Sequence, residues 1–100
     1  MKMARKLDRI GDWLAFSCQV RKHITQYTIP QYQNPDAKTD QIGAWTADEC
    51  ITAIKRYTNR FGKNLRGNKE ALRDMLKIAH YASFAYEKLK EELGEEDVYK

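Results

Sequence analysis

Apolar residues recur every three or four positions in three stretches of the chain, which is the spacing of an amphipathic α-helix. The first stretch predicts a helix over about 2–28. Pro30 ends it, because a proline disfavours helical backbone at the residue before it. The apolar stripe of this helix is formed by Met3, Leu7, Ile10, Leu14, Phe16, Val20, Ile24 and Tyr27.

The second stretch predicts a helix over 47–61. Thr46 and Glu49 have the spacing of a capping box, in which the hydroxyl and the carboxylate each bond a backbone amide at the helix start. Gly62 stands where a left-handed residue commonly ends a helix. The predicted apolar stripe is formed by Cys50, Ile54, Tyr57 and Phe61.

The third stretch predicts a helix over 68–93, with Asn68 as the N-cap residue and Gly94 as the stop. Three small residues, Ala79, Ala82 and Ala85, would let another helix approach closely. The predicted buried face is formed by Leu72, Met75, Leu76, Ala79, Ala82, Tyr86, Leu89 and Leu93.

These elements predict an all-α fold of three main helices in a single domain over 1–94, followed by a loose acidic tail over 95–100. The connection between the second and third helices is short, which favours an antiparallel helical hairpin. Residues 30–45 contain two prolines and a glycine and are predicted to form a long irregular loop, in which a short strand or helical turn is possible.

The composition is that of a globular protein, with 42% apolar and 32% charged residues. Charges interrupt every apolar run, so neither a membrane span nor a signal-peptide core is predicted. The expected location is therefore cytoplasmic, or the host-cell cytoplasm if the protein is phage-encoded.

Cys18 and Cys50 are expected to be buried free thiols, with a disulfide as the alternative. The spacing of cysteines and histidines predicts no metal site, and no cofactor is predicted.

The net charge of +4 is unevenly distributed. Residues 55–77 carry eight basic and two acidic side chains, whereas residues 87–100 carry three basic and six acidic ones. A local positive excess of this size favours an anionic partner more strongly than the overall charge does.

The basic segment predicts a phosphate-binding site at the end of the hairpin. Arg56 and Arg60 share one helix face, as do Arg73 and Lys77, and an antiparallel hairpin brings both pairs towards the turn. Free amides at a helix start add to the attraction for phosphate, and arginine supplies a bidentate fork. The predicted phosphate-binding residues are Arg56, Arg60, Lys63, Arg66, Arg73 and Lys77.

Other interpretations of this hairpin remain open. It can be a plain turn in which Arg73 pairs with Glu70 or Asp74. If the ligand is single-stranded nucleic acid, Tyr57 and Trp45 are candidates for stacking on bases. No catalytic residue is assigned, because no nucleophile accompanies the basic residues.

The block AIKRYTNRFGKNLRGNKEALRDMLKIAHYA, residues 53–82, resembles small phage and prophage proteins of unknown function. The matching positions in its first half are Ile54, Lys55, Tyr57, Arg60, Gly62 and Lys63. Those in its second half are Glu70, Leu72, Lys77 and Tyr81. The resemblance implies a small helical protein encoded by a phage. The expected function, binding of a nucleotide or nucleic acid, is indicated by the basic hairpin.

A looser similarity links the chain to all-α nucleoside triphosphate pyrophosphohydrolases, which hold Mg²⁺ on paired ExxE and ExxD motifs. Here Glu70 and Asp74 are one residue too far apart, and the second helix has no ExxE. A Mg²⁺-dependent enzyme is therefore an alternative function. A second alternative is a protein-interaction or oligomerisation module, because a small chain with a 26-residue helix gains stability by burying apolar surface against a partner.

Overall fold

The computed structural model describes residues 6–30, 42–63 and 67–99. It contains three α-helices, α1 (Arg9–His23), α2 (Ala47–Asn59) and α3 (Asn68–Leu93). A π-helical turn (Ile24–Thr28) continues α1, and a 3₁₀ turn (Ile42–Ala44) precedes α2. The predicted all-α fold is confirmed. Within the described ranges, no helix is both long and apolar enough to cross a membrane.

Helix α1 begins later than the sequence predicts, at Arg9 instead of residue 2. The reason is a local cap: the Asp8 carboxylate accepts a hydrogen bond from the Gly11 amide over 3.0 Å. At the other end the backbone widens into the π turn, where the amide of Ile29 bonds the carbonyl of Ile24. Most of the predicted 30–45 loop, residues 31–41, lies outside the described residues.

Helix α2 starts with the predicted capping box, which is confirmed. The Thr46 hydroxyl accepts from the Glu49 amide, and the Glu49 carboxylate accepts from the Thr46 amide, each over 3.2 Å. The helix ends at Asn59, two residues before the predicted end, because the amides of Arg60 and Phe61 bond carbonyls only three residues back. Phe61 is 78% exposed, so its predicted place in the apolar stripe is wrong.

Helix α3 has the predicted bounds. Gly94 has φ +66°, the left-handed conformation expected of a helix stop. The amide of Glu95 then bonds the carbonyl of Lys90 over 2.9 Å, which closes the last turn. The N-cap position belongs to Gly67, so the prediction that Asn68 caps this helix is wrong.

Helices α2 and α3 form the predicted antiparallel hairpin. Arg60, at the end of α2, contacts Asp74 near the start of α3, and the Ala47 amide contacts Glu92 at the far end. The buried apolar residues between them are small: Ala47, Cys50, Ala53 and Ala85. Small side chains let the two backbones lie close together, but they form a modest core.

Helix α1 packs against α3, and its predicted stripe divides into two parts. Phe16, Val20 and Ile24 are half-buried. Leu7, Ile10 and Leu14 are 61–72% exposed. Cys18 on α1 is half-buried and Cys50 is fully buried; both are free thiols.

Candidate functional site: the two faces of the third helix

Two buried carboxylates occupy the side of α3 that meets α2. Asp74 is 3% exposed and Glu70 is 7% exposed. Arg60 reaches across from the end of α2 and donates from two of its nitrogens to the two oxygens of Asp74, one of these bonds being 3.3 Å long. These hydrogen bonds raise the pKa of Arg60. A two-point contact of this kind fixes the position of the guanidinium as well as neutralising the carboxylate.

Two further cations on α3 complete the neutralisation. The Lys77 ammonium lies 3.3 Å from Glu70 and 3.9 Å from Asp74. The Arg73 guanidinium lies 3.3 Å from the other oxygen of Glu70. Two carboxylates thus receive three cations, which is the condition under which buried charges are tolerated.

The Tyr57 ring lies beside this ion-pair cluster. The guanidinium groups of Arg56 and Arg60 are 5.3 and 5.0 Å from the ring centre, and the Lys77 ammonium is 5.4 Å from it. Tyr57 also contacts Tyr81, whose ring stacks on Trp45 at 5.9 Å. The two aromatic residues predicted to stack on bases therefore have ring partners inside the protein. A role in base stacking stays a prediction.

Four of the six predicted phosphate-binding residues come together at the hairpin end. They are Arg56, Arg60, Arg73 and Lys77, and three of them pair with Glu70 or Asp74. Lys63 is exposed in the turn, and Arg66 lies outside the described residues. Of the two pairings considered for Arg73, the one with Glu70 is present. Phosphate binding itself stays a prediction.

The same cluster bears on the alternative of a Mg²⁺ enzyme. A magnesium ion needs several oxygen ligands that converge on one point. Glu70 and Asp74 do converge, but on the three cations. Across 6–30, 42–63 and 67–99, no group of three or more acidic, histidine or cysteine side chains is arranged to hold a metal ion.

The opposite side of α3 is apolar. Seven residues separated by alternating steps of three and four positions form a continuous line, here called the outer stripe. They are Leu72, Met75, Ala79, Ala82, Tyr86, Leu89 and Leu93. This spacing is the heptad pattern of a helix that packs against another helix along its length. At 1.5 Å per residue the outer stripe is about 32 Å long.

Six of the seven outer-stripe residues are exposed and Ala79 is half-buried, so the prediction that this stripe forms the buried face of α3 is wrong. Leu72 and Leu93 are each 67% exposed, and Met75, Tyr86 and Leu89 are 39–40% exposed. The physical reason is that α2 packs on the side carrying Glu70, Asp74 and Tyr81. That side is called the inner face below. Most large side chains of the outer stripe are therefore left exposed by the packing of the described helices.

The acidic tail, predicted to be loose, folds back beside the outer stripe. The Tyr86 hydroxyl donates to the Asp97 carboxylate over 2.8 Å and accepts from the Val98 amide over 3.3 Å. Lys90 is 2.8 Å from the same carboxylate. The bonds to Lys90 and Tyr86 lower the pKa of Asp97. The tail thus places negative charge at the carboxyl end of the outer stripe.

His23 places the end of α1 near the ion-pair cluster. Its ring stacks on Tyr27, with the ring centres 5.2 Å apart. Partial burial lowers the pKa of His23, and the positive charges of Lys77 and Arg73 lower it further. The π turn begins at the next residue, so the last turn of α1 is wound differently where it meets the cluster.

Sequence reasoning missed two features of this region: the exposure of the outer stripe and the contact between Asp97 and Tyr86. The alternating spacing of the outer stripe was a usable signal for the first.

A scan against models of known protein families, a search of curated proteins and a search of solved structures each found no match to this chain. The resemblance to small phage proteins stays a prediction.

Proposed function

We propose that this protein is a helical protein-interaction module whose outer stripe binds an amphipathic helix. The observation that carries the proposal is the exposure of a line of apolar residues on α3, from Leu72 to Leu93, while α2 packs on the side with Glu70 and Asp74. Contiguous exposed apolar surface of this length is typical of an interaction site in a small protein.

The chemistry of the outer stripe favours a helix as the bound element. Its three- and four-residue steps match the ridges and grooves of another helix. Large side chains at both ends are separated by Ala79 and Ala82, which leave room for a second backbone. Burying one leucine side chain removes enough apolar surface to contribute about 2 kcal/mol. Several such residues must act together, because association also costs translational and rotational freedom.

The proposal is tested by labelling single cysteines in cells that produce the protein. Cys18 is replaced by Ser, and Cys50 is fully buried, so the native cysteine positions contribute little maleimide labelling. Ala82→Cys places a thiol on the outer stripe, and Glu87→Cys places a matched thiol on an exposed position off it. Each variant is labelled with a maleimide in cells and again as dilute purified protein.

A bound helix slows labelling at position 82 in cells relative to the dilute protein, while position 87 reacts at similar rates in both. Equal ratios at the two positions would contradict the proposal. The test does not require the partner to be identified beforehand. Circular dichroism of each variant checks that α3 is retained.

A second candidate function is the binding of a phosphate-bearing ligand at the ion-pair cluster. The observation that favours it is an excess of charge: Arg56, Arg60, Arg73 and Lys77 surround only two carboxylates, Glu70 and Asp74. Two positive charges remain after pairing. Arg56 is exposed, so its guanidinium can reach a ligand without leaving a buried carboxylate unpaired.

This candidate is tested with a panel of nucleotides and with DNA and RNA at two salt concentrations. Binding that weakens steeply with salt and requires long chains identifies nucleic acid. Binding of mononucleotides identifies a nucleotide site. Arg56→Ala is expected to weaken either kind of binding, with Lys55→Ala as the control on the same helix. Absence of binding at low salt would remove this candidate.

A further inference from the structure

We infer that the helix bound by the outer stripe is α3 of a second copy of this chain, running antiparallel to the first. This inference rests on the proposed interaction function and adds the identity and direction of the partner. Two independent observations carry it: the order of large and small residues along the outer stripe, and the distribution of charge along α3.

The order of large and small residues along the outer stripe is nearly the same in both directions. Antiparallel pairing about the midpoint between Ala79 and Ala82 places Ala79 of one copy against Ala82 of the other. It places Met75 against Tyr86, and Leu72 against Leu89. Small residues thus meet small ones at the centre, where the backbones approach most closely, and large residues meet large ones on both sides. A surface that is complementary to itself under a two-fold rotation is what a symmetric dimer requires.

The charges along α3 favour the antiparallel direction over the parallel one. Exposed Lys69 lies in the first turn of α3, next to the ion-pair cluster, whose four cations exceed its two carboxylates by two positive charges. The last turns of α3 and the tail carry more acidic than basic residues. Glu87, Glu91, Glu92, Glu95, Glu96 and Asp97 outnumber Lys88 and Lys90, and Lys90 is shared between Glu87 and Asp97. Antiparallel pairing sets each acidic end beside the basic end of the other copy. Parallel pairing sets like charges together, which opposes association.

The helix dipoles act in the same direction as the side-chain charges. The start of α3 carries partial positive charge and its end partial negative charge. Two antiparallel helices therefore bring opposite ends of their dipoles together. The Asp97 contact with Lys90 and Tyr86 fixes one tail carboxylate at the acidic end, where it faces the basic end of the second copy.

The direction is tested by crosslinking two variants of the full chain in which Cys18 is replaced by Ser and one new cysteine is exposed, while Cys50 stays buried. One variant carries Leu72→Cys and the other Leu89→Cys; both positions are exposed, so folding is expected to be preserved. Each is treated with a short bismaleimide alone and then in an equal mixture. Antiparallel pairing gives a crosslinked dimer mainly in the mixture, joining position 72 to position 89.

Efficient crosslinking of Leu72→Cys with itself would show parallel pairing and overturn the inference. A chain that sediments as a monomer at every concentration would overturn it as well. Neither result contradicts the proposed function. If position 82 is protected in cells while the purified chain is monomeric, the outer stripe binds a different partner protein. Arg56→Cys, a thiol on α2 away from the outer stripe, reports the background of random crosslinking.

Discussion

An amphipathic helix of a soluble protein usually buries its apolar side and exposes its charged side. Helix α3 does the reverse on its inner face and its outer stripe. The inner face buries charge, with Glu70 and Asp74 under 10% exposed, while the outer stripe exposes leucines. A buried face can be polar only if every charge on it has a partner, and α2 supplies that partner through Arg60. The hairpin is thus held by ion pairs together with a small apolar core, whereas the large apolar side chains of α3 are left outside it.

The largest expected effect on stability comes from breaking the inner face. Asp74→Asn removes the charge that pairs with Arg60 and Lys77 and leaves both cations with less compensation. Because Arg60 is about one-third exposed, the cost is below that of a fully buried pair, at about 2 kcal/mol of unfolding free energy. Urea unfolding measures it. Glu87→Gln, at an exposed position, is the matched control, and an equal loss there would contradict the distinction.

A matched pair of alanines contrasts the two faces directly. Ala85 is buried on the inner face, and Ala82 is exposed on the outer stripe. Ala85→Leu overpacks the contact with α2 and is expected to reduce the unfolding free energy by about 1–2 kcal/mol. Ala82→Leu leaves the stability of the monomer nearly unchanged, but it blocks the close approach of a second helix. Equal effects of both substitutions in urea unfolding would show that the outer stripe is packed within the monomer.

A smaller loss of stability is expected when the start of α2, the helix that packs on the inner face, is weakened. Thr46→Ala removes one half of the capping box of α2 and is expected to cost about 1 kcal/mol. The loss concerns the hairpin alone, so association through the outer stripe is expected to persist while the chain stays folded. Thr52→Ala, at an exposed position inside α2, is the control and is expected to change little.

The smallest effect concerns pH and the region where α1 meets the inner face. The pKa of His23 is below its ordinary value of 6.5, so the folded chain binds this proton less readily than the unfolded chain. Its contribution to stability is complete above about pH 6.5 and is lost as the pH falls through the lowered value. Unfolding between about pH 7.5 and 5.5 is expected to show a shallower decline for His23→Gln than for the native chain. Identical slopes would contradict the assignment.

Local signals predicted the elements of this fold well. The capping box at Thr46 and Glu49 and the stop at Gly94 depend on a few neighbouring residues, so they could be predicted from the sequence. The side of α3 that is buried could not be predicted in the same way. It depends on Arg60, fourteen residues before Asp74, which neutralises a carboxylate that would otherwise face solvent.

The candidate site follows the same division. The sequence predicted that Arg56, Arg60, Arg73 and Lys77 gather at the hairpin end, and helical spacing was sufficient for that. Their engagement by buried carboxylates was not predicted for Arg60 and Lys77, because a count of charges does not show which of them are paired. The outer stripe was identified as apolar but assigned to the core, since apolar periodicity alone does not distinguish a core from a docking surface.

Sedimentation equilibrium measures whether the outer stripe of α3 binds a second copy of the chain. The native chain is compared with Leu89→Lys on α3 and with Leu14→Lys on α1, a matched change at another exposed leucine. The range is about 1–100 μM, which suits an interface formed by one helix face. We expect dimers for the native chain and for Leu14→Lys, and a monomer for Leu89→Lys. A monomeric native chain throughout this range, or dissociation caused by Leu14→Lys and not by Leu89→Lys, would contradict this expectation.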